Sequence, residues 1–199
     1  MIQRIGVIAQ DANSVGFLRG LQKRLGCNAE FIPAPSNIGR SSMLNRRQAI
    51  IAWRSFQNKG VDLIVRFTDS DGARWQDVRR NELEMFPEEA RSILVCGVAV
   101  ENTEHWLALD IAHIATALHV EPSTLSDRTQ LTDRIKSAIA SMPSGGLDSS
   151  ERVATIVSNT QPSIFKKWLA DDSLRGFYQD CRAAASRVNC QTTNELEGP

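Results

Sequence analysis

Val61-Asp62-Leu63-Ile64-Val65-Arg66-Phe67-Thr68-Asp69-Ser70-Asp71-Gly72 is the stretch whose reading decides the fold. An apolar run from Val61 to Phe67, broken by Asp62 near its start and by Arg66, ends in two carboxylates spaced one residue apart, followed by glycine. Such a run reads as a buried strand, and in open α/β sheets the ligand crevice lies at the carboxyl ends of the strands. If the strand persists, Asp69 and Asp71 share a face. Two anions that close repel each other, and a hard cation such as Mg²⁺ is the usual remedy. The competing reading is an Asp-Ser-Asp-Gly turn capping the next helix, since Asp and Gly dominate turns and N-caps.

Working outward, Ile5–Ala9 is a short apolar run that reads as a first, central strand. Ser14 to Leu25 has helical spacing through Val15, Leu18, Leu21 and Leu25, and Gly26 stops it. Asn28 to Pro33 alternates as a second strand, followed by a Ser36–Ser42 loop and a helix over Met43–Asn58. Beyond Gly72 a charged helical stretch runs to about Glu89, and Ser92–Val100 reads as a fourth buried strand. A long helix is expected from Thr103 to His119, capped by Asn102 or Thr103. Alternating strands and helices with these connections imply right-handed crossovers and a mainly parallel four-stranded sheet flanked by helices. After Pro122 the patterns are helical only, around Leu131–Met142, Ser149–Ser158 and Ser163–Ala185, with Met142–Gly146 as a linker. The expected division is an α/β domain over 1–120, a helical C-terminal region over 121–187 and a flexible tail over 188–199.

The 199 residues carry 23 basic and 23 acidic side chains, so no global field draws the protein to nucleic acid or membrane. Cys27, Cys96, Cys181 and Cys190 show no Cys-x-x-Cys spacing and read as free thiols of a reducing compartment. With no signal-like N-terminus and no span of membrane-crossing length, the expected location is cytoplasmic.

Taken in order, these segments resemble a TOPRIM domain, the metal-dependent Rossmann-like module of topoisomerases, primases and overcoming-lysogenization-defect nucleases. Asp69 and Asp71 match the family's Asp-x-Asp. The likeness is greater to small standalone TOPRIM-like bacterial proteins linked to anti-phage operons. These carry a Glu-x-Trp-Leu-Leu-Ala-Asp-like segment, which Thr103-Glu-His-Trp-Leu-Ala-Leu-Asp110 resembles, and a Ser-x-x-x-Phe theme, resembled by Ser173-Leu-Arg-Gly-Phe177. The resemblance implies a nuclease site in which Asp69, Asp71 and Glu104, with Asp11 as a fourth member, hold Mg²⁺ or Mn²⁺ and act on a phosphodiester. It is also compatible with an ATPase partner subunit, with a nucleic-acid substrate for which DNA and RNA both stay open, and with a homo-oligomer. One departure stands out. Gln10 occupies the place of the family's first-strand Glu, and an amide is neither a general base nor a strong cation ligand. Asp11 is shorter and faces the other side if the first strand continues. The alternative is therefore a catalytically degenerate TOPRIM-like scaffold that binds an ATPase partner.

Glu104 also has a plain reading as a first-turn acid meeting the helix dipole. Arg66 is expected to pair with a neighbouring carboxylate. His105, His113 and His119 are spaced eight and six apart, not the i, i+4 pairing that shares a metal. Trp53, Trp75, Trp106 and Trp168 read as packing residues, with Trp75 the exception to watch. Of the basic clusters, Arg74, Arg79 and Arg80 follow the Asp-x-Asp loop and are the candidate nucleic-acid contacts, and Arg40, Arg46, Arg47 and Arg54 form another. The interleaved Asp77, Glu82 and Glu84 argue for an ordinary solvated face. No Gly-x-x-x-x-Gly-Lys loop for ATP and no Gly-x-Ser-x-Gly elbow is present.

Overall fold

The structure is a computed structural model that describes residues 3–36, 38, 44–142, 146–187 and 190. Most of the expected 36–42 loop, with Arg40, the middle of the 142–146 linker and the tail apart from Cys190 lie outside the described residues. Four strands form one sheet: β1 (Gln3–Ile8), β2 (Ala29–Pro33), β3 (Leu63–Asp69) and β4 (Leu94–Ala99), in the order β2-β1-β3-β4. Every neighbouring pair is parallel. The first six residues of β3 and all six of β4 are buried, as strands covered on both faces must be.

Helix α1 (Ala12–Arg24) is capped by Asp11 and followed by Gly26 at φ 62°, and α2 (Arg46–Asn58) starts at an Asn45–Gln48 capping box. The charged stretch after β3 is not one helix. It splits into α3 (Trp75–Met85) and α4 (Glu88–Arg91), because Pro87 forces Phe86 out of the helical region, to ψ 147°. The long helix expected over 103–119 splits too, into α5 (Thr103–Leu107), a 3₁₀ turn (Ala108–Asp110) and α6 (Ile111–Leu118). Asp110 is the cause: it leaves the helical region and accepts the His113 N–H at 3.0 Å as a fresh N-cap. The C-terminal helices are α7 (Leu131–Ser141), α8 (Ser149–Asn159), α9 (Pro162–Trp168) and α10 (Asp172–Arg187). The expected single helix over 163–185 is broken before α10, where Asp171 accepts the Leu174 N–H at 2.9 Å.

One face of the sheet carries the larger apolar core, with α1, α5, α6 and α7 to α10; the other carries a smaller core with α2, α3 and α4. The larger core runs without a break from Ile5 to Ala184, so residues 121–187 share it with the sheet. Helix α8 packs against α1 at Gly16 and Gly20, and Phe177 of α10 fills the space above Gly97 of β4. Trp106 donates its indole N–H to Ser173 Oγ at 3.0 Å and lies against Phe17, Phe67 and Phe177. The Glu-x-Trp and Ser-x-x-x-Phe segments noticed in sequence are thus one structural lock.

The reading of four free thiols is corrected. Cys27 and Cys190 form a disulfide, with Cα atoms 4.9 Å apart, because the end of α10 returns to the turn after α1. Cys96 and Cys181 remain free. No helix among the described residues is long and apolar enough to cross a membrane.

Candidate functional site

The order β2-β1-β3-β4 places a topological switch between β1 and β3. The chain leaves β1 for β2 through α1 on one face, then returns to β3 through α2 on the other. Loops diverge at such a point and leave a crevice at the strands' carboxyl ends. The residues there are Gln10 and Asp11 after β1, Asp69 to Asp71 at the end of β3, and Glu104 in the first turn of α5 beyond β4.

Asp69 is the last residue of β3, in register with Ala99. Its carboxyl is half-buried, and Oδ1 is enclosed without a hydrogen-bond partner among the described residues. Burial, then the charges of Asp11, Glu104 and Asp71, push its pKa up to about 7; only Lys136 opposes them. Ser70 continues the ladder, its N–H reaching the Ala99 carbonyl at 2.9 Å. The chain then turns: Asp71 and Gly72 sit at φ 48° and 82°, and the Ala73 N–H closes on the Ser70 carbonyl at 2.9 Å. Asp71 is exposed in that turn, so strand alternation does not bring it beside Asp69. The turn caps no helix, since the N-cap of α3 is Arg74 and it makes no side-chain cap hydrogen bond.

Glu104 is fully buried, unlike a solvated first-turn acid. Its Oε1 accepts the Asn13 amide at 2.8 Å, and Oε2 faces the Lys136 ammonium of α7 at 3.8 Å. Burial raises its pKa, while the Asn13 hydrogen bond and Lys136 pull the other way. Asp11 is occupied in α1, accepting the Ser14 N–H at 2.8 Å. β1 has ended at Ile8, so the face-alternation expected for Asp11 does not extend to it. Gln10 donates its amide to Thr68 Oγ1 at 3.1 Å. Asn13 and Lys136 are the participants the sequence did not single out: Asn13 lies just before the stretch expected to be helical from Ser14, whereas α1 already starts at Ala12, and Lys136 arrives through tertiary packing.

The three candidate nucleic-acid arginines do not gather at this crevice. Arg74 and Arg80 both pair with Asp77 on the outside of α3, at 3.8 and 2.7 Å, and Arg79 pairs with Asp180 of α10 at 2.5 Å. Arg66 is paired as expected, forking onto Glu82 at 2.8 and 3.2 Å. His113 bonds Thr160 at 3.0 Å, and His105 stands 3.7 Å from Glu101. Trp106 and Trp168 are core residues.

Among the described residues no group of three or more His, Cys, Asp or Glu side chains is placed to hold a metal ion. The four carboxylates are close enough for three to raise the pKa of Asp69. Even so, Asp11 is engaged by a backbone N–H, Glu104 by an amide and an ammonium, and Asp71 stands off in its turn. This arrangement does not fit a Mg²⁺ cage. A cavity of about 570 Å³ beside the crevice borders Gln10, Asp11, Arg19 and Phe31 but not Asp69, Asp71 or Glu104. Comparison with protein-family models, curated proteins and solved structures finds no match.

Proposed function

We propose that the chain is a TOPRIM-like subunit in which the strand-end carboxylates hold elements together instead of hydrolysing phosphodiesters. It serves as an interaction subunit for an ATPase partner of an anti-phage system. The observation that carries this reading is the buried Glu104 bridged to α1 by Asn13 and to α7 by Lys136, in the region where a catalytic centre would need its acids free. Gln10 is bonded to Thr68 and one oxygen of Asp11 caps α1, so the residue in the place of the family's first-strand acid is an amide and the neighbouring carboxylate is partly committed to the helix. The partner and the operon context rest on the sequence resemblance.

A second reading is favoured by one observation, the orphaned Oδ1 of Asp69. A cation there would relieve the repulsion that raises this carboxyl, and the chain would be a Mg²⁺- or Mn²⁺-dependent nuclease. Two measurements separate the readings. Calorimetric titration with Mg²⁺ and Mn²⁺ is expected to give no stoichiometric isotherm. Plasmid DNA incubated with millimolar metal is expected to stay supercoiled with wild-type protein and with Asp69→Ala alike. Nicking by the wild type that disappears in Asp69→Ala would overturn the scaffold reading in favour of the nuclease.

A further inference from the structure

We infer that the groove on the free edge of β4 is an anion site that takes a phosphate group. β4 is the outer strand of the sheet, with α3 packed near one face and α10 on the other. Between these helices lies a cavity of about 250 Å³, with Arg79, Arg91, Arg187 and Asp180 in its lining and Leu94 and Cys96 of β4 beneath. Three guanidinium groups face one carboxylate there, an excess of two positive charges. Among the described residues only Arg79 is matched, by Asp180. Arg187 donates one N–H to the Ser92 carbonyl at 3.1 Å. Among the described residues Arg187 forms no ion pair, and Arg91 forms no hydrogen bond or ion pair. The nearby carboxylate that might have neutralised them, Glu82, is held by the buried Arg66.

The backbone adds donors of the right kind. The N–H groups of Ile64 and Ser70 bond the carbonyls of Ile93 and Ala99, so the odd-numbered residues of this stretch face β3. In a parallel ladder the alternate residues, Leu94 and Cys96, then direct their N–H groups to the free edge, the side on which the cavity lies. Forked guanidinium donors with backbone N–H groups suit the tetrahedral oxygens of phosphate. The volume is just below the range of small-molecule pockets, which begins at about 300 Å³, so the groove holds a phosphate group and leaves the remainder of a phosphate ester outside it. The groove is distinct from the strand-end crevice: Ala99, the partner of Asp69, is three residues beyond Cys96, about 10 Å along the strand. The inference rests on neither reading of the crevice.

The experiment uses the full chain, titrated separately with inorganic phosphate and adenosine monophosphate while backbone amide resonances are followed. Saturable shifts of the Leu94 and Cys96 amides are expected with at least one of them. Equal affinities identify free phosphate as the ligand chemistry, and tighter binding of the nucleotide identifies a phosphate ester. Arg91→Glu, an exposed change that breaks no hydrogen bond or ion pair among the described residues, is expected to weaken binding at least about tenfold, the size of a lost charge-assisted hydrogen bond. Asp180→Asn, which removes the one carboxylate lining the groove among the described residues, is expected to tighten it several-fold. Absence of saturable shifts with either ligand, or unchanged affinity in Arg91→Glu, would overturn the proposal.

Discussion

Asp69 combines a raised pKa with an oxygen that has no partner, and the two facts have one cause. The sheet delivers this carboxyl into a space already occupied by the charges of Asp11, Glu104 and Asp71, with Lys136 alone opposing them. Its ordinary value is 3.8 and its folded value about 7. Between these limits the unfolded chain has released the proton and the folded chain keeps it. Stability therefore falls as pH rises from about 4 to about 7, and the penalty is fully present above that window. The whole shift would correspond to about 4 kcal/mol, and solvent screening of a half-exposed carboxyl reduces this to about 1–2 kcal/mol. Asp69→Asn is accordingly expected to raise Tm by about 3–6 °C near pH 8, with the gain vanishing towards pH 4. Calorimetric scans at both ends of the window check this, and a gain independent of pH would remove the charge-repulsion account. Asp69 and Glu104 were legible in the sequence because each ends or opens an element whose apolar pattern is unmistakable. Asn13 and Lys136 were not, since their role depends on how α1, α5 and α7 meet in space.

At the scale of elements, all four strands were legible, and so was α1, but the reason α1 packs as it does lay between the residues of its apolar stripe. Gly16 and Gly20 form a flat track for α8. A Cβ on Gly16 would stand 2.3 Å from the Ser150 carbonyl oxygen, and one on Gly20 would stand 2.4 Å from Val157 Cβ. Glycine within a helix ordinarily costs about 1 kcal/mol relative to alanine, so helix propensity favours replacing both. Overpacking against backbone or a β-branched side chain costs about 1–3 kcal/mol and wins. Gly16→Ala and Gly20→Ala are expected to lower the urea midpoint. Gly176→Ala in α10 is expected to raise it, because its Cβ would meet only Trp75 at 3.7 Å. A stabilised Gly16→Ala would mean that α8 does not sit on α1. The merged helices have a matching explanation: apolar spacing continues through Asp110 and across Asp171, and only the local hydrogen bonds of those aspartates show that each starts a new helix.

At the scale of the molecule, the change of pattern after Pro122 resembles a domain boundary but marks a change of layer. The helices beyond it complete the core on one face of the sheet, so Phe177 and Val153 lie in the same apolar cluster as Phe67 and Phe17. The same wrapping brings Cys190 back to Cys27, closing a loop over a sequence separation of 163 that no local spacing could reveal. A cross-link of that reach acts mainly on the unfolded chain, whose freedom it removes, and the chain-entropy account gives about 5 kcal/mol for it, above the usual 2–4 kcal/mol. Reduction, or Cys27→Ser, is therefore expected to lower Tm by about 5–15 °C with little change in the native circular dichroism spectrum. Cys181→Ser should leave the response to reductant intact, because that thiol is outside the bond. Thiol titration of the denatured, unreduced protein should count two free groups, Cys96 and Cys181. A count of four, together with a Tm indifferent to reductant, would show that Cys27 and Cys190 are neighbours without a covalent bond, and that apolar packing of α8 and α10 alone holds the C-terminal layer on the sheet.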